Sequence, residues 1–243
     1  MRGLTAVFAH PDDETFAIGG TLARYAGDGV RCTIYCATDG DAGQSSGIPV
    51  SSRAELAALR RDELRAACRV LGVAAVECGG HPDGALAATD PELVMADVVR
   101  LIRRERPHVV VTFGPEGAPT AHRDHRAISR LATAAFLLAD TTTAYPEQLA
   151  QGLAPHRADR LCYVTWPARA PGFEPATEGQ PIDVSVDVRE WLGTKEQAFE
   201  VHRTQHQHRA HFERLALDDT EDYFVAIGIP APRHATDLFT GLP

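Results

Sequence analysis

The sequence contains no Cys-x-x-Cys pair, no long apolar run and no Gly-x-Gly-x-x-Gly after its first apolar stretch. Its five cysteines, Cys32, Cys36, Cys68, Cys78 and Cys162, are scattered and odd in number. This argues against a thiolate zinc site, a redox pair or a disulfide framework, and reads as small buried side chains in a reducing compartment. The opening residues, MRGLTAVFAH, lack the apolar segment and cleavage site of a secretory signal. No stretch approaches the length of a membrane span, so a cytoplasmic protein is expected. Positive charge is also in short supply. The formal net charge of −9 argues against nucleic acid as a general partner. The one basic run, Arg100 to Arg106, reads as the solvated end of a helix. Only two tryptophans occur, Trp166 and Trp191, and core or rim packing explains both better than a stacking platform.

What is present suits a globular enzyme-sized unit. With 243 residues, 44% hydrophobic and 23% charged, the chain fits one domain, 1–243, with a sizeable core. Apolar patterning predicts strands at 4–9, 30–37, 73–78, 108–113, 161–166, 182–188 and 222–229. Helices are expected at 18–26, 53–71, 91–104, 122–138 and 189–214. Long loops cover 38–50 and 167–181. The first half alternates strand and helix four times, which predicts an α/β fold: a Rossmann-like, mostly parallel sheet with helices on both faces. Such sheets bind ligands beyond the carboxyl ends of the strands, where strands one and four meet.

Two segments converge on that crevice. The run LTAVFAHPDDETFAIGG (4–20) releases His10, Asp12, Asp13 and Glu14 as soon as its strand ends. His122-Arg-Asp-His125 follows strand four. An acidic turn capping a helix would use one carboxylate, not three beside an imidazole. Crowded like charges need an offset, which a divalent cation supplies. Imidazole and carboxylate without thiolate suit a catalytic Zn²⁺ or Fe²⁺ at the C-terminal ends of the strands. Spacing alone leaves open which of Asp12 and Asp13 is ligand and which is base.

AHPDDE (9–14) with HRDH (122–125) resembles the LmbE-like, or PIG-L, family of metal-dependent N-deacetylases. The similarity continues through TDGDAG (38–43), RRDELRAACRVLGV (60–73) and HPDGAL (81–86), with a weaker echo in KEQAFEVHRTQ (195–205). The resemblance implies removal of an acetyl group from an N-acetylglucosaminyl conjugate or a related small amide. It implies one Zn²⁺ per chain on His10, Asp13 and His125, with Fe²⁺ or another divalent ion as the alternative. Asp12 would be the general base. His122 would stabilise the oxyanion and protonate the leaving amine, with Asp124 orienting it. Arg60 and Asp83 match sugar-contacting positions. Members of the family often form homo-oligomers. Two departures stand out: Ala121 and Arg123 replace a usual glycine and proline, and Thr120 stands where some members have tyrosine.

Competing readings are a two-His-one-carboxylate Fe²⁺ enzyme and a metal-dependent binding protein without catalysis. The first usually sits on a β-rich jelly roll, and the second has no need of a spare carboxylate. His81 reads as a loop residue at the pocket edge. His202, His206, His208 and His211 read as a solvated helix face, although His202 falls within the 195–205 echo.

Overall fold

The computed structural model describes residues 1–166 and 178–243, so most of the expected loop at 167–181 lies outside the described residues. Seven strands form one sheet: β1 (Gly3–Phe8), β2 (Arg31–Thr38), β3 (Ala75–His81), β4 (Val109–Phe113), β5 (Arg160–Thr165), β6 (Val184–Asp187) and β7 (Thr220–Gly228). Their order is β3-β2-β1-β4-β5-β7-β6. The first five run parallel, and β7 and β6 continue the sheet antiparallel. This is the expected mostly parallel α/β sheet, with β1 and β4 side by side in the register Leu4↔Val109 to Ala6↔Val111.

Among the described residues, seven α-helices accompany the sheet: α1 (Asp13–Gly27), α2 (Arg53–Val70), α3 (Pro91–Glu105), α4 (Arg123–Leu138), α5 (Pro146–Ala150), α6 (Leu192–Val201) and α7 (Arg209–Leu215). α3 and α4 pack together on one side of the central strands, while α1, α2 and α6 form the other layer. Both layers press on the sheet, so β1 and β4 are buried along their whole length. That explains their unbroken apolar runs, since a strand covered on both faces has no reason to alternate. Local signals start the helices where they should. Ser52 accepts the Glu55 N–H ahead of α2, and Asp90 caps α3 with Pro91 in its first turn.

Three features depart from the sequence reading. First, α1 begins at Asp13 rather than near Ile18, and it kinks at Ile18 (φ −142°, ψ 22°). Beyond the kink, Gly20 and Thr21 donate their N–H groups to Glu221 at 2.9 and 2.7 Å, as a helix start would to its cap. Gly19 and Gly20 allow this close approach. An added Cβ would lie 2.9 Å from Lys195 Cγ at one and 2.6 Å from Val188 Cβ at the other. Second, Arg103 is not part of a solvated helix end. It is buried and donates to the carbonyls of Ala139, Thr141, Ala144 and Tyr145, which pins the connection after α4. Third, the long helix expected at 189–214 breaks into α6, a 3-10 turn (Arg203–His208) and α7. The break falls at His202, which leaves helical geometry (φ −76°, ψ 60°) because its side chain turns inward.

Candidate metal centre and active site

His10 leaves the end of β1, and His125 lies on the first turn of α4 after the loop from β4. Phe113, the last residue of β4, links the two: its ring stacks on His125 at 4.1 Å and meets Phe8 of β1 at 4.8 Å. The topology thus delivers both imidazoles to one crevice. Asp13 Oδ1 lies 3.1 Å from His125 Nε2, which lies 3.3 Å from His10 Nδ1. His10 Nδ1 in turn lies 3.4 Å from Asp13 Oδ2.

The outer partners fix the tautomers. His125 Nδ1 faces the Gly117 carbonyl at 3.3 Å, so that nitrogen carries the proton. His10 Nε2 lies 3.3 Å from Asp83 and 3.4 Å from Asp124, so it too carries the proton. In the neutral rings the inward nitrogens are acceptors; a second proton on His10 would sit on Nδ1, facing Asp13. The 3.3 Å between His10 Nδ1 and His125 Nε2 matches the roughly 3.3–3.4 Å separating ligands about 2.0–2.1 Å from a tetrahedral zinc, and Asp13 reaches the two imidazoles with different oxygens. His122 also brings a ring nitrogen within 4.8 Å of His10 and His125. Both His122 and Asp13 are thus within reach of the two imidazoles. In this arrangement burial weakens His10 as a base, but Asp13 and the hydrogen bonds to Asp124, Asp13 and Asp83 outweigh it and raise its pKa. Burial opposes ionisation of Asp13, yet the two imidazoles bring its pKa well down.

The structure gives Asp124 and Asp83 work different from that expected. The Asp124 carboxylate is taken by His10 Nε2 and by the N–H groups of Gly84 (2.7 Å) and Leu86 (3.2 Å). Its link to His122 runs instead through the backbone, where Asp124 N–H donates to His122 Nδ1 at 3.3 Å. Asp83 shares the His10 proton and accepts the Ala42 N–H at 2.8 Å. Burial opposes its ionisation, but these bonds hold its pKa down to about 2. Both carboxylates therefore orient His10.

Arg60 lies in the cavity wall, but its guanidinium is largely engaged within the protein. Nη1 donates to Gly40 O at 2.8 Å and Nη2 to Pro11 O at 2.5 Å, with Asp12 at 3.4 Å. Side chains at Gly40 and Gly43 would collide with it, which accounts for the two glycines of TDGDAG. Arg60 thus ties the 38–43 loop to the 10–14 loop. Asp12 faces the same cavity, and its backbone is strained: φ is 119°. Such a conformation costs about 1–3 kcal/mol and persists where its surroundings impose it. Burial is the main force pushing the Asp12 pKa up to about 6, opposed by Arg60 and reinforced by Asp13.

His122 caps α4 and is exposed at the cavity mouth. With Nδ1 accepting a backbone N–H, the neutral ring carries its proton on Nε2. Although one edge of the ring meets solvent, partial desolvation of the rest, His125 and His10 lower its pKa, so the neutral form is favoured. Thr120 and Pro119 line the wall beside it.

A cavity of about 560 Å³ opens over these groups. Its lining also includes Phe16, Val164, Trp166, Lys195 and Asp222. The remaining histidines divide. His81 is bound to Asp97 at 3.0 Å, and His206 lies on the exterior against Glu200. His208 and His211 line the cavity, and His202 is buried against Glu14 at 2.8 Å. The His202–Glu14 pair was not foreseen. A clue existed: with one aspartate as ligand and one as base, the third acid of the run needs a partner.

Comparison with known proteins agrees with this geometry. The family model described as PIG-L: GlcNAc-PI de-N-acetylase matches residues 5–136. A 1D-myo-inositol 2-acetamido-2-deoxy-α-D-glucopyranoside deacetylase of Rhodococcus erythropolis is 32% identical, over 84% of this chain and 81% of its own length. Among solved structures, the N,N′-diacetylchitobiose deacetylase of Pyrococcus horikoshii superposes with a TM-score of 0.76. It is 22% identical, over 94% of this chain and 84% of its own. The 4-carboxy-2-hydroxymuconate hydratase of Pseudomonas putida KT2440 shares the fold at a TM-score of 0.70 and 20% identity, over 98% of this chain and all of its own. The fold therefore carries more than one reaction, and the site must decide. Spanning more than half of the sequence, the match shows that the chain belongs to the PIG-L (GlcNAc-PI de-N-acetylase) family.

Proposed function

We propose that this protein is a metal-dependent hydrolase that removes the acetyl group from the amide nitrogen of an N-acetylglucosamine-type conjugate. The observation that carries the reading is the triangle of His10 Nδ1, Asp13 and His125 Nε2, with a separate carboxylate, Asp12, beside it. His10, Asp13 and His125 would hold one divalent ion, zinc before iron, because the donor set is two imidazoles and a carboxylate without thiolate. When bound, such an ion supplies Lewis acidity and, for zinc, brings the pKa of water to about 7.

The chain's own residues supply the proton traffic. Asp12 takes the proton of the attacking water, a task a carboxylate poised near neutrality performs well. His122 presents Nε2–H to the amide oxygen as negative charge develops there; because the neutral ring has only that proton, the departing amine takes instead the proton that Asp12 received from water. Asp83 and Asp124 keep His10 in its ligating tautomer, and Arg60 keeps the base loop in place. The substrate to try first is the one in the name of the Rhodococcus relative. The five free cysteines support a cytoplasmic setting. Among the described residues no helix is long and apolar enough to cross a membrane.

The test is an amine-release assay on the purified protein with 1D-myo-inositol 2-acetamido-2-deoxy-α-D-glucopyranoside. Free amine and acetate should appear one for one. A chelator should stop the reaction, and added Zn²⁺ or Fe²⁺ should restore it. No release from this compound or from N-acetylglucosaminides with other aglycones, in metal-replete protein, would sink the reading.

A further inference from the structure

Asp12 and Asp13 are consecutive, yet both carboxylates face one cavity. The backbone achieves this through the φ of 119° at Asp12, and something beyond that residue must hold it there. Its N–H donates to Glu14 Oε2 at 3.0 Å. Glu14 is itself buried, 1% exposed, and its other oxygen accepts from the Thr15 hydroxyl at 2.6 Å and meets His202 Nε2 at 2.8 Å. His202 is equally buried, and its Nδ1 has no hydrogen-bond partner. An imidazole with one nitrogen left unpaired in the interior is destabilising by itself, so its place needs a reason.

The segment bearing His202 is anchored separately. Two residues on, Thr204 donates both its N–H and its hydroxyl to Glu63 of α2, at 3.1 and 2.6 Å. His202 is thus fixed to the scaffold before it reaches Glu14. A helix-start acid used only as a cap needs neither burial nor a histidine behind it.

We propose that Glu14 and His202 are positioning residues for the general base: Glu14 clamps the Asp12 N–H, and His202 fixes Glu14 from the far end of α6. The C-terminal part of the chain, beyond the residues matched by the family model, thereby sets the geometry of the first loop. The inference rests on the reading of Asp12 as base.

A double-mutant cycle tests it. Glu14→Ala should lower kcat by about 10–10²-fold, the range expected when a catalytic group is displaced by up to about 1 Å. KM and metal content should stay near those of the parent protein. Glu14→Gln retains an oxygen for the Asp12 N–H and should recover most of the loss. Placed in Asp12→Ala, neither Glu14→Ala nor His202→Ala should reduce kcat further, because the group they position is gone. Amide exchange at Asp12, followed by NMR, should speed up in Glu14→Ala.

Equal losses with and without Asp12 would make the pair merely structural and overturn the proposal. So would loss of metal, which would place Glu14 in the service of Asp13, or an unaltered kcat. Should Glu14→Ala not fold, His202→Ala carries the same cycle, and failure of both to fold again means a structural role. Full turnover in Asp12→Ala would remove the general-base reading and the proposal together. A normal Asp12 loss beside an inert Glu14 overturns the proposal alone.

Discussion

Two charged clusters line the same cavity and are built in opposite ways. Lys195 and Glu221 form a closed set: the ammonium lies 2.5 Å from the carboxylate, whose oxygens also accept the N–H groups of Gly20 and Thr21. Donors and acceptors there match. In the cluster of His10, Asp13 and His125, the outer ring nitrogens are spent on Asp83, Asp124 and Gly117, and only acceptors face inward. The first cluster is complete as folded, whereas the second calls for a cation. Burial alone therefore does not mark a functional site, since both clusters are buried or nearly so. The mark is a convergence of two imidazoles and a carboxylate whose outer atoms are held by fixed partners.

The widest break in this contrast comes from the two neighbouring aspartates. Asp13→Ala should lose the metal and, with it, more activity than any other single change. Asp12→Ala should keep about one metal per chain and lose roughly 10²–10⁴ in kcat, the usual contribution of a positioned acid or base. Metal analysis and kcat on the same preparations separate the two. If Asp12→Ala loses the metal and Asp13→Ala keeps it, the roles are exchanged.

The aspartate pair also shows what could be read from sequence and what could not. The alternation of strands and helices led to the parallel sheet, and the sheet order placed 10–14 beside 122–125. Each of those steps depends on periodicity or on residues contiguous in the chain. The partners of the site depend on loop paths instead. Asp124 is next to His125 but serves His10, 114 residues away in sequence. Arg60 spans two loops through carbonyl groups, which no residue pattern records. Arg103 lay in a basic run, and nothing local distinguished it as the buried arginine whose carbonyl acceptors lie some 40 residues further on. Glu14 and His202 stand 188 residues apart and meet only once α6 packs on α1.

The closed cluster makes its own prediction, at a smaller scale. Lys195→Met removes one partner of a buried pair and should destabilise the fold by about 3–5 kcal/mol, because Glu221 is left without its counter-charge. Metal content should not change. Lys195→Met with Glu221→Gln should recover much of the loss, since the glutamine oxygen can still accept from Gly20 or Thr21. Urea unfolding of the metal-loaded variants measures both. A single variant as stable as the parent would show that the pair was not the satisfied structural unit described here.

The smallest effect sits at the mouth of the open cluster. Ala121 immediately precedes His122 and adopts a left-handed backbone, with φ at 53°. Glycine, the residue that the family resemblance leads one to expect there, takes that conformation without strain. A side chain in this region is disfavoured by roughly 1–2 kcal/mol. Glycine gives back roughly 0.4–1 kcal/mol through its greater freedom in the unfolded chain. The balance predicts that Ala121→Gly stabilises the protein by between nothing and about 1.6 kcal/mol. Because the turn already holds His122 with Nδ1 against the Asp124 N–H, kcat should change little. A drop in unfolding free energy would mean that the alanine methyl packs favourably enough to outweigh the strain. A large fall in kcat would mean that the rigidity of alanine, rather than the turn itself, keeps His122 in place.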